Sequence, residues 1–168
     1  MDQKLWNALM KFAELKREAF SLTSVEQLRE LISKTDYPNG DVAELIVAFM
    51  LGNLCRTFDD GLQVFMTAKL DASGVDFCLR RFRQNFYVQL KWNKVNTRLY
   101  EDYITVVEAG PDKSFKGALY LKPQKGKFVL FDILTSTMAY DEEEFYDIEE
   151  KSPDFIQKCN EAWAIIKR

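Results

Sequence analysis

Apolar residues recur every three to five positions from Lys4 to Ala19, at Leu5, Leu9, Phe12 and Leu15, and the pattern continues at Phe20. That interval predicts a helix with one apolar face. Ser24, followed by Glu26 and Gln27, is placed to cap a second short helix carrying Val25, Leu28, Leu31 and Ile32. The turn sequence Asp36-Tyr37-Pro38-Asn39-Gly40 ends it. A third helix is expected from Asp41, with Val42, Leu45, Ile46, Phe49 and Met50 as its stripe and Glu44 one turn in.

After Asp59-Asp60-Gly61 the period shortens to that of a strand around Leu62, Val64, Phe65 and Met66, and Lys69 to Gly74 reads as a loop. Val75 to Leu79 and Phe86 to Trp92 flank the polar segment Arg80 to Asn85 and predict a hairpin. Tyr103 to Val107, Gly117 to Leu121 and Lys127 to Leu134 carry the same strand character, which makes about five or six strands. Ser152-Pro153-Asp154 resembles a helix start, with Phe155, Ile156, Cys159, Trp163 and Ile166 on one face of a last helix.

Composition narrows the chemistry. The 168 residues, 47% of them hydrophobic, suit a single domain, residues 1–168, with one core. The longest uncharged stretch, Leu45 to Cys55, is too short to span a bilayer, and the charged N-terminal segment is unlike a secretory signal, so a cytoplasmic protein is expected. Three widely separated cysteines lack the spacing of a zinc site or a disulfide framework and read as small core residues. The absence of histidine removes Ser-His and Cys-His nucleophile pairs, leaving carboxylates, lysine, tyrosine or metal. A net charge of −3 argues against coating nucleic acid through the overall field, while leaving room for a local basic patch.

The candidate chemistry lies in Gly74-Val75-Asp76-Phe77 and, thirteen positions after Asp76, Gln89-Leu90-Lys91. On adjacent strands these segments meet, and alternation puts Gln89 and Lys91 on one face with Val88 and Leu90 on the other. A carboxylate, an amide oxygen and water suit Mg²⁺ (or Mn²⁺), and an ammonium at Lys91 can assist an attacking water or offset charge on a phosphodiester. The same residues also fit an ordinary cross-strand ion pair between Asp76 and Lys91 with an exposed Gln89.

Asp76, Gln89 and Lys91 resemble the PD-(D/E)xK nuclease superfamily, in the Mrr-like variant with QxK, over roughly Gly40 to Lys94. The motif departs from the usual form in having Val75 where proline is common. The resemblance implies an α/β (α+β) fold with a central mixed five- to six-stranded sheet flanked by helices, a restriction-endonuclease-like core. It further implies Mg²⁺-dependent hydrolysis of DNA, with Asp76, Gln89 and Glu44 at the metal and Lys91 at the nucleophile. Glu44 enters by position, as the glutamate on the helix before the first core strand; in the first turn of a helix a glutamate is also favoured by the dipole alone.

Arg80, Arg81, Arg83 and Lys94, with Arg98 nearby, form the densest basic region and can contact DNA phosphates or simply keep a hairpin soluble. A homodimer or a separate specificity subunit would suit a short double-strand cutter. The rival expectation is a non-catalytic binding or immunity-type module whose acidic segment, Asp141 to Glu150, docks a basic partner or mimics nucleic acid.

Overall fold

The computed structural model describes residues 2–58, 61–81, 83–91, 104–109, 115–124, 127–132 and 153–165. Helix α1 spans Gln3–Ser21 and opens on Asp2, whose carboxylate accepts from the Lys4 N–H. Its last carbonyls are taken up by Arg56, which donates to Phe20 O at 2.6 Å and Leu22 O at 2.8 Å. Asn53 also donates to Leu22 O, and to Phe49 O. These side chains satisfy groups that a helix end leaves without internal partners.

Helix α2, Val25–Ser33, has a reciprocal capping box: Ser24 Oγ accepts from the Gln27 N–H, and the Gln27 side chain accepts from the Ser24 N–H. Helix α3, Asn39–Phe58, starts two residues earlier than Asp41, because the Pro38 carbonyl already accepts from the N–H groups of Asp41 and Val42. From Val42 to Leu54 every residue is buried except Glu44. A helix apolar around its whole circumference belongs in the interior, and α3 is the centre of the core. Gly52 permits its contact with α1, since a Cβ there would overlap the Phe20 carbonyl oxygen.

Strand β1 spans Gln63–Phe65 and is followed by α4, Ala68–Ala72, which replaces most of the loop that the pattern predicts from Lys69 to Gly74. Thr67 nucleates this short helix by accepting from the Leu70 N–H. The remaining strands are β2, Phe77–Arg81, β3, Gln84–Lys91, β4, Ile104–Ala109, β5, Phe115–Gln124, and β6, Lys127–Asp132. The β2–β3 hairpin is tighter than its polar centre suggests. Arg80 pairs with Asn85 and Arg81 with Gln84, so polar residues extend both strands, and Arg83 turns the chain at φ 64°. The last helix, α5, covers Pro153–Trp163.

The expected mixed, restriction-endonuclease-like sheet core is overturned. Among the described residues every pairing is antiparallel, and the strands follow one another as a meander in chain order. The two-residue β2–β3 and β5–β6 connections enforce this for those two pairs, because a parallel neighbour needs a crossover of a dozen or more residues. The described core is also helical. It gathers Leu28, Leu45, Ile46, Phe49, Phe155 and Cys159 with their neighbours, and the strands contribute to it through Phe77 and Leu79 of β2. Cys78 and Cys159 are buried and Cys55 is partly so. Among the described residues no helix is long and apolar enough to cross a membrane.

Candidate metal centre

Three carboxylates from three elements converge beside α3. Glu44 stands in the second turn of α3, Asp71 in α4, and Asp76 one residue before β2. The local chain path brings the last two together. Helix α4 ends in a Schellman arrangement, with the Gly74 N–H bonded to Asp71 O and the Val75 N–H to Leu70 O. Gly74 takes φ 82°, a left-handed conformation that glycine adopts without penalty. The reversal folds Asp76 back towards Asp71, and each of Glu44, Asp71 and Asp76 offers an oxygen within 4.8 Å of the others.

Lys16 of α1 completes the group. Its side chain is wholly buried, yet it lies on the apolar face of α1 between the small residues Ala13 and Ala19. The ammonium donates to Asp71 Oδ1 at 2.9 Å and to the Asp76 carbonyl at 2.9 Å, and lies 3.5 Å from Glu44 Oε2. The rings of Phe12 and Phe77 flank it, with centroids at 5.5 and 5.1 Å. A buried cation needs compensation on this scale.

The acidic groups exceed what one ammonium satisfies. Glu44 Oε2 and Asp71 Oδ2 are buried without a hydrogen-bond partner. Burial, reinforced by the Asp76 and Asp71 charges and opposed by Lys16, pushes the Glu44 carboxyl from its ordinary 4.5 up to about 9. Burial likewise raises Asp71, against the opposing pull of Lys16, and Asp41 in the first turn of α3 is raised for the same reason. An all-oxygen donor set of this kind can hold a hard cation. Ligands about 2.1 Å from one such ion stand about 3.0 to 4.2 Å apart, so oxygens within 4.8 Å of one another require only a small inward adjustment.

The structure thus joins two residues singled out in the sequence, Glu44 and Asp76, and adds two that were not, Asp71 and Lys16. Asp71 was missed because its helix read as a loop. Lys16 carried a usable signal: it stands four residues after Phe12 and four before Phe20, in register with the apolar stripe. Gln89 and Lys91 lie on β3, where they pair with Val107 and Thr105 of β4. Phe77 pairs with Val88, so Gln89 follows at the end of the hairpin that carries Asp76. The side chains of Gln89 and Lys91 lie outside the described residues, as do Lys94, Arg98 and the acidic segment 141–150. Arg80 and Arg83 are exposed towards the opposite end of the β2–β3 hairpin; the Arg81 side chain is outside the description.

Comparison with known proteins returns no matching family model, no curated protein and no solved structure.

Proposed function

We propose that the protein is a divalent-cation-dependent hydrolase of DNA phosphodiesters, with Glu44, Asp71 and Asp76 as the cation ligands. The observation that carries this reading is the convergence of three carboxylates from α3, α4 and the start of β2 within 4.8 Å, with Glu44 Oε2 and Asp71 Oδ2 buried without a hydrogen-bond partner. Mg²⁺ or Mn²⁺ suits an all-oxygen set, and when bound it supplies an activated water and neutralises charge on a phosphoryl oxygen.

The protein's own groups have separable tasks in this scheme. Asp71 and Asp76 are held in place by Lys16, which bonds the carboxylate of one and the carbonyl of the other. Burial raises the Glu44 carboxyl to about 9, so it would give up a proton at neutral pH on becoming a ligand. Arg80 and Arg83 are exposed along and beyond β2, and Arg80 is four residues from Asp76, roughly 13 Å of extended strand. That spacing suits contacts to backbone phosphates beside the reacting one, without reading sequence. Lys91 on β3 is the proposed helper of the nucleophile.

Incubating plasmid and single-stranded DNA with the protein and Mg²⁺ or Mn²⁺ tests the proposal. Cleavage should depend on the cation and be lost in Asp76→Ala and Asp71→Asn, with the circular dichroism of both variants unchanged. Cleavage that survives both substitutions sinks the assignment. The completely buried Lys16 with its two hydrogen bonds favours a second reading, in which the cluster is an internal strut tying α1 to α4 in a non-catalytic binding module. Absence of both cation binding and cleavage in the wild type would select it.

A further inference from the structure

We infer that Lys16 determines the charge class of the cation the site accepts, holding it to divalent ions. This rests on the reading of Glu44, Asp71 and Asp76 as cation ligands and adds a selectivity residue to it.

Asp71 points to a ligand independently of the clustering. Its side chain is only 7% exposed, Oδ1 is taken by Lys16, and Oδ2 is buried without a hydrogen-bond partner. Such an oxygen costs free energy unless something positive meets it. One ammonium cannot serve every acceptor present. Its short contacts go to Asp71 Oδ1 and the Asp76 carbonyl, and Glu44 Oε2 is 3.5 Å away.

Charge balance then identifies the missing partner. With all three carboxylates ionised, as ligands of a cation, they leave two negative charges against the one ammonium, which one divalent ion cancels. Asp41, partly exposed in the first turn of α3, adds to the negative field from outside the cluster. Lys16 is immobilised between the Phe12 and Phe77 rings, so its charge cannot swing away when an ion arrives. Repulsion from a fixed ammonium grows in proportion to the ion's charge, and at low local dielectric this discriminates strongly between doubly and triply charged ions.

The affinities of Mn²⁺ and La³⁺ for the full chain, measured by titration calorimetry in wild type, Lys16→Met, Asp71→Asn and the double variant, test the inference. Lys16→Met should raise the ratio of La³⁺ to Mn²⁺ affinity by at least about tenfold over wild type. The double variant should show the same rise over Asp71→Asn. This second comparison decides the matter if Lys16→Met alone does not fold, because the double variant removes both charges of the buried pair. An unchanged ratio in these comparisons, with Mn²⁺ still bound by the wild type, overturns the inference and leaves the cation site standing. Failure of the wild type to bind either ion overturns the cation site itself, and the inference with it.

Discussion

The ammonium of Lys16 stands 2.9 Å from Oδ1 of Asp71, fifty-five positions away in the chain, and the bond fastens α1 to α4 inside the protein. Breaking such a pair by removing one partner strands the other. Lys16→Ala is expected to cost about 3–5 kcal/mol in urea unfolding. Lys16→Met combined with Asp71→Asn should recover most of that loss, since it removes the buried charges together. A single-variant cost below about 1 kcal/mol would be the behaviour of an exposed pair and would contradict this burial.

Stability should fall with rising pH. The Glu44 carboxyl, ordinarily at 4.5, is raised to about 9, so the folded state retains a proton that the unfolded chain releases in this interval. The contribution is fully present below about pH 4.5 and is lost as pH rises through about 9. Raised Asp71 acts in the same direction. Thermal midpoints recorded from about pH 5 to about pH 9 should show the decline, and Glu44→Gln, which mimics the protonated acid, should flatten it. A wild-type midpoint that climbs across the interval would show the opposite linkage.

A cation that binds only the folded state raises stability by mass action. Under the proposed function, Mn²⁺ at a hundred times its dissociation constant adds about 2.7 kcal/mol. The gain should be largest towards alkaline pH, where the ion does not have to displace the Glu44 proton. Differential scanning fluorimetry with and without Mn²⁺ measures it, and Asp76→Ala should abolish the shift.

Gly52 is expected to tolerate no side chain. A Cβ there overlaps the Phe20 carbonyl oxygen and comes within 3.1 Å of the Arg56 guanidinium that bonds that same oxygen. Gly52→Ala would therefore push α1 from α3 and disturb the bonds at the end of α1. Overpacking of this kind costs about 1–3 kcal/mol, and the higher helix propensity of alanine does not offset it. Equal urea midpoints for variant and wild type would show that the helices separate freely here.

Local signals read well where neighbours in sequence are also neighbours in space. The capping role of Ser24, the existence of helices α1 to α3 and the start of α5 at Pro153 all depend on residues within a turn or two. Burial does not: Leu5, expected on the apolar face of α1, is 53% exposed, and α3 is buried all round rather than along one stripe. Boundaries moved where backbone hydrogen bonding outweighed polarity, as at Arg80 to Asn85, which pair as strand despite their charge. The resemblance led to a mixed sheet because it describes a family's architecture. The antiparallel β2–β3 and β5–β6 pairings follow instead from their two-residue connections.

The amino-acid order alone determined that Glu44 lies on a helix with an apolar stripe and that Asp76 belongs to the hairpin segment, although the structure places it one residue before the strand. It also excluded histidine chemistry. Only the tertiary structure decided that these carboxylates share a site with Asp71 and Lys16. Periodicity reports which face of an element is apolar, but not which distant element covers that face. Lys16 is buried because α3, α4 and the start of β2 bring acceptors and aromatic rings to it, and that compensation exists only once the chain has folded.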